Sequence, residues 1–230
     1  MTSTLKISQK GGAGSGNFQH SGRPGLVGGS TSTGVAVATY AWLKERITPP
    51  PPIMVENLDM ELDTQIDDLK SDDVLKALVR TGAPLHHFGN LQHVVSFGDY
   101  GDPNLTGFHY VEPYDKSHSI IGCMRGHINK ILAGHELGHH VMETLHDENS
   151  ILMRSGDVMK AAERAAQPLH NMGLRKYSLT YGNDFAADTY KVGLFGHKKQ
   201  QSNLLKIWNA VIGKKFANIM DIFDYDMIGR

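Results

Sequence analysis

The chain predicts an α+β fold: a small mixed or antiparallel sheet packed on a long helix, with further helices towards the C-terminus. Three observations lead there. Leu91–Phe97, Gly107–Glu112 and residues 118–124 have strand character and are separated by Gly, Pro, Asn and Asp turn signals. A long segment with helical apolar spacing, roughly 128–146, follows them, and more helical segments follow that. Strands grouped ahead of helices belong to α+β architecture rather than to alternating α/β.

Taken in order, residues 11–34 hold nine of the 25 glycines. Such a stretch buries too little apolar surface to offset its ordering entropy, so residues 1–34 are expected to form a flexible tail. Residues 35–47 read as a short helix with Trp42 on its apolar side, and the prolines at 49–52 favour an extended spacer, making 35–52 a helix and linker. The main domain is then expected over 53–230. Residues 56–73 carry eight acids against Lys70, the pattern of a solvated helix face. A helix over 72–80 has Ser71 as N-cap and Gly82 just past its end. After the long helix, another runs over 157–167 and stops near Pro168, and a third over 183–195 ends at Gly196. An amphipathic segment over 202–212 offers Leu204, Leu205, Ile207, Trp208 and Val211 for packing.

Composition narrows the function classes. Apolar residues make up 40% and charged residues 20%, which suits a soluble protein with a core. The net charge of −1 gives no electrostatic case for nucleic acid or an anionic membrane. No apolar run approaches the ~18 residues of a membrane span. Cys123 is the only cysteine, so no intrachain disulfide forms, in keeping with a reducing compartment. The N-terminal MTSTLKISQK lacks the apolar core of a signal peptide, so the expected location is cytoplasmic or inside a larger particle. Of the 13 histidines, only those with informative spacing carry an argument.

That spacing occurs at His135-Glu136-Leu137-Gly138-His139. Two histidines four apart on a helix share a face, with Cβ atoms about 5–6 Å apart, so both imidazoles can reach one zinc ion. Glu136 projects from the adjoining edge, where it can reach a metal-bound water rather than the metal. By composition alone this pattern arises about 0.03 times in a chain of this kind. The flanking Ile128, Ile131, Leu132, Val141, Met142 and Leu145 make the helix apolar on more than one side, hence buried, and polar groups inside it need partners. His140 lies about 100° around the helix from His139, as a neighbour rather than a ligand, and His146 carries no special role.

Zinc needs a third protein ligand. The best downstream candidate is Asp184, which with Asp188 sits four apart on one helix face. One of the two can bind the metal while the other accepts a hydrogen bond from a ligating histidine and fixes its tautomer. Small Ala186 and Ala187 would let this helix approach the first closely. Tyr177 and Tyr181 stand just before it, and either could stabilise an oxyanion or be a core residue.

With these residues the chain resembles the zincin-type peptidases similar to anthrax lethal factor, a group that includes peptidase domains of phage head-morphogenesis proteins. The resemblance covers roughly residues 90–197. His135, Glu136 and His139 match the group's catalytic helix. Asp184-Phe185-Ala186-Ala187-Asp188 matches its later Glu-x-Phe-Ala-Glu stretch, with Asp184 as third ligand and Asp188 behind the ligands. Tyr177, seven residues before Asp184, falls where the group carries its catalytic tyrosine, with Tyr181 the fallback. Both family glutamates are aspartates here, one methylene shorter, which calls for closer helices. The Gly-rich tail looks like segments of phage head and portal-associated proteins, and is expected to be cleaved during head maturation.

The resemblance implies a zincin-like fold and a Zn2+-dependent endopeptidase, encoded by a phage and associated with its head or portal proteins. Its substrate would be a protein or peptide. Zinc held by His135, His139 and Asp184 would activate water, Glu136 would serve as general base, and Tyr177 would share the oxyanion. The substrate is expected to add as a strand to a sheet edge formed by residues 118–124. Two rival readings are a non-catalytic particle component that keeps the fold for interaction, and a toxin-like protease effector.

Overall fold

The computed structural model describes residues 31–62, 65–98, 105–112, 115–165, 169–174 and 181–228. Among these, the chain forms eight α-helices and a four-stranded sheet. Helices α1 (Thr31–Arg46) and α2 (Pro52–Leu62) lead to strand β1 (Ile66–Asp68) and helix α3 (Asp72–Val79). Strands β2 (Leu91–Phe97), β3 (Gly107–Glu112) and β4 (Asp115–Met124) come next, then the long helix α4 (Lys130–Thr144). Helices α5 (Ser155–Arg164), α6 (Gly182–Phe195), α7 (Lys198–Ile212) and α8 (Met220–Asp224) complete the order. The α+β class holds, but three helices precede the main strands.

The sheet order is β1-β2-β4-β3 and the sheet is mixed. β1 pairs antiparallel with β2, β2 parallel with β4, and β3 antiparallel with β4. β4 therefore lies inside the sheet, and residues 118–124 cannot offer the substrate-binding edge expected of them. Their backbone groups are taken on both sides, Ile121 by Val94 and by His109. Among the described residues the end strands are β1 and β3.

Strand alternation divides the core between two faces. Val94, Ile121 and Cys123 join a cluster with α3, α4 and α6, whereas Val95, Ile120 and Met124 join one with Phe97 and Phe108. The second face is covered by α2 through Met54 and Leu58. The proline run stays extended only to Pro51. Pro52 opens α2, because a proline in the first helical turn forfeits no helical hydrogen bond. Leu43 and Ile47 are fully buried in the same core as α3 and α4, so α1 contributes to it.

The Ser71 cap expected for α3 is present, whereas α5 begins at Ser155, two residues ahead of the expected 157. The Ser71 side chain accepts from Val74 N at the start of α3. Asn129, in extended backbone, accepts from Ile131 N and Leu132 N at 2.9 and 3.0 Å, so α4 starts two residues later than its apolar pattern. The acidic run at 56–73 spreads over α2, β1 and the first turn of α3 rather than one helix face. The short α8 and β1 lack the length to show a period.

Candidate metal centre

Helix α4 carries His135, Glu136 and His139, and α6 carries Asp184 and Asp188. The two helices pack against each other, and α4 also lies on β3 and β4. His135 Nε2 and His139 Nε2 point to the same carboxylate oxygen, Asp184 Oδ1, at 3.9 and 3.4 Å. One ligand atom from each of the three residues lies within 4.8 Å of the others. The imidazoles are T-shaped, centroids 4.9 Å apart, as two side chains one helical turn apart must be to aim at one point. These three residues could hold a metal ion.

Helices α4 and α6 approach each other closely beside these residues. A Cβ on Gly138 would fall 2.8 Å from Ala187 Cα and 2.9 Å from Tyr190 Cβ. Glycine on α4 and alanine on α6 thus bring the backbones together beside the site, and an aspartate spans the gap.

Behind the ligands lies a second layer. Asp188 Oδ1 accepts from His135 Nδ1 at 3.1 Å and is also paired with Lys191. Burial opposes its charge, but Lys191 and His135 outweigh burial and hold the carboxyl well below its ordinary value. Hydrogen-bonded to the Asp188 carboxylate, His135 Nδ1–H is a donor, and Nε2 is the nitrogen that faces Asp184 and could ligate a metal. On the other side, Glu143 Oε1 lies 3.9 Å from His139 Nδ1 and accepts from Asn183 Nδ2 at 3.2 Å. Glu143 Oε2 meets His109 Nδ1 at 3.1 Å. From there a buried chain continues from His109 Nε2 to Ser119 Oγ (2.9 Å), to His140 Nδ1 (2.8 Å), and from His140 Nε2 to the Gly89 carbonyl (2.8 Å).

The electrostatics call for a cation. Burial lowers His135 to about 4, so it is neutral and able to ligate. Burial also lowers His139, but Asp184, Glu136 and Glu143 together override it and raise this imidazole to about 9. Burial raises Glu136 to about 8. Among the described residues, Asp184 Oδ1 and Glu136 Oε1 are buried oxygens with no well-formed hydrogen bond. The 3.4 Å contact of Asp184 with His139 is an ion contact rather than a good hydrogen bond. Without a metal, a proton on His139 serves these acids. A divalent ion between the same donors could meet the Asp184 oxygen and both imidazoles together. Glu136 has room because β3 begins with glycine, where a Cβ on Gly107 would lie 2.6 Å from Glu136 Oε1.

The structure brings together His135, Glu136, His139, Asp184 and Asp188. Tyr177 lies outside the described residues. Tyr181 precedes α6, its carbonyl accepting from Phe185 N at 3.1 Å, and is 52% exposed. His140 is a hydrogen-bonded neighbour and not a ligand. His146 bonds the Phe223 carbonyl and Ser150, a structural role. Sequence reading missed Glu143, His109 and Lys191. Glu143 is four residues beyond His139 and Lys191 three beyond Asp188, so same-face spacing carried a signal for both. Nothing in the sequence pointed from His109 to α4.

Comparison with protein-family models, with curated proteins and with solved structures gives no match to this chain. Among the described residues, no helix is long and apolar enough to cross a membrane.

Proposed function

We propose that this chain is a zinc-dependent peptidase of the zincin type, with His135, His139 and Asp184 as metal ligands and Glu136 as general base. The observation that carries the reading is the convergence of two imidazoles and one carboxylate from α4 and α6, with the Glu136 carboxyl buried beside them. Two nitrogens and one oxygen suit zinc, and three protein ligands leave a position for water or substrate. Zinc bound there would supply Lewis acidity, polarising water and the substrate carbonyl.

The chain's own residues account for proton movement. Glu136 Oε takes a proton from the attacking water as its oxygen bonds to the carbonyl carbon. The same carboxyl then delivers that proton to the departing amine nitrogen as the C–N bond breaks. The Glu136 carboxyl is buried beside the three ligand side chains, where it can accept the proton and return it. Asp188 holds His135 in its ligating tautomer. Tyr177 or Tyr181 is proposed to donate to the oxyanion. The substrate is proposed to lie extended along β3, the end strand whose first residue, Gly107, abuts Glu136.

A phage origin and a head-associated substrate rest on the resemblance of the motifs and of the Gly-rich tail. Metal content and peptidase activity of wild type, Glu136→Gln and His139→Ala test the whole reading. Glu136→Gln should retain zinc and lose turnover by at least about a hundredfold, while His139→Ala should lose zinc. Turnover unchanged in Glu136→Gln would overturn the catalytic assignment. A wild type that binds zinc without cleaving any unfolded protein would favour the interaction-domain alternative.

A further inference from the structure

A second group of metal-ligand side chains stands apart from the His135 site. His86 and His87 belong to the 3-10 turn Leu85–Phe88 ahead of β2, and Asp224 ends α8, so the cluster joins segments far apart in the chain. His86 Nε2 and His87 Nε2 approach the same oxygen, Asp224 Oδ1, at 2.7 and 2.9 Å. One ligand atom from each lies within 4.8 Å of the others. We propose that His86, His87 and Asp224 form a second divalent-metal site, a zinc clasp that pins α8 to the turn before β2.

The chemistry of the donors selects the ion. Two imidazole nitrogens and one carboxylate oxygen suit zinc and its late first-row neighbours, and not the oxygen-seeking calcium or magnesium. Donors about 2.0–2.1 Å from a tetrahedral zinc stand roughly 3.3 Å apart, so the gap from the Asp224 oxygen to each nitrogen must widen by about half an ångström. His86 and Asp224 can supply that movement, since their side chains are 44% and 25% exposed. The exposed side of His86 and of Asp224 also leaves solvent to complete the fourth position.

His87 is the fixed wall of the site. It is fully buried, and its Nδ1 is 2.7 Å from the Tyr190 hydroxyl. A hydroxyl both donates and accepts, so Tyr190 can serve the tautomer in which Nε2 carries a proton and the tautomer in which Nε2 binds metal. That second-layer contact is the one a ligating histidine ordinarily has. Tyr190 also packs edge-on to Phe223 and backs Gly138 of α4, so a clasp here would brace α8 against the rear of the catalytic helix. Zinc at this place would be structural, stabilising the fold by tying residues 86 and 224 together.

The test uses the full chain stripped by a chelator and dialysed against Zn2+ alone. Bound zinc per chain is compared in wild type, His86→Ala and Asp224→Ala. Wild type should carry one zinc more than either variant, whatever the occupancy of the His135 site, and peptidase activity should persist in His86→Ala. In a His139→Ala background, added zinc should still raise the unfolding temperature, and His86→Ala should abolish that rise. Equal zinc content in wild type and both variants would overturn the clasp without touching the catalytic reading.

Discussion

Gly138 of α4 faces Ala187 of α6 so closely that a Cβ at 138 would lie 2.8 Å from the Ala187 α-carbon. The atom in the way is backbone, so α6 itself would have to move. That contact sets the distance across which Asp184 must reach the two imidazoles. Gly138→Ala should therefore act on both packing and the site. Overpacking of this kind costs about 1–3 kcal/mol, offset slightly by alanine's better helix propensity. Denaturant unfolding should show the loss, and a zinc titration of the same variant should show weakened binding. Full zinc affinity in Gly138→Ala would mean that the helix spacing does not govern the ligand geometry.

Asp188 is expected to tune the metal without touching it. Asp188→Asn keeps the shape of the side chain but removes the negative charge that His135 Nδ1 and Lys191 share. Zinc affinity should fall by about 10–100-fold. Adding Lys191→Met should recover stability, because it withdraws the buried cation, but should leave affinity low. Competition with a chromogenic chelator measures the affinity, and thermal unfolding measures the stability.

Glu143 holds a different place, between His139, His109 and Asn183. In Glu143→Gln the carboxylate that backs His139 Nδ1 is gone while most packing remains. Zinc affinity should drop by up to about tenfold, with turnover at saturating zinc close to wild type, if Glu143 acts only through the His139 imidazole 3.9 Å away. A large loss of turnover at full zinc occupancy would give Glu143 a direct catalytic part.

His140 should shape the acid limb of stability. Burial lowers it from 6.5 to about 3 in the folded chain. The unfolded chain then binds a proton that the folded chain refuses, so stability falls as pH drops below about 6.5 and keeps falling to about 3. The slope from one such group approaches about 1.4 kcal/mol per pH unit. Asp188, with its carboxyl held low, adds in the same direction below its ordinary 3.8. Replacing His140 with Gln preserves a donor for the Gly89 carbonyl and removes the titration. The difference between wild type and His140→Gln, followed by urea unfolding from pH 7 to 4, should narrow with acidity. A constant difference would mean that His140 titrates alike in both states.

By itself the sequence determined the parts of this protein that depend on local order. The 135–139 motif predicted which side chains share a face of α4, and Asp184 with Asp188 did the same on α6, because a helix repeats every 3.6 residues whatever surrounds it. The ranges of β2 and β3 and the Ser71 cap followed from alternation, turn residues and side-chain hydrogen bonding over three or four positions. Tertiary structure alone decided what depends on contacts between distant segments. β4 lies inside the sheet because β2 pairs with it in parallel across the intervening β3, a choice no local pattern encodes. The reach of Asp184 is set by Gly138 meeting Ala187. The union of Glu143, His109, Ser119 and His140 into one buried chain, and of His86 and His87 with Asp224, arises where segments remote in sequence pack, since burial forces each polar group to find whatever partner the fold brings near.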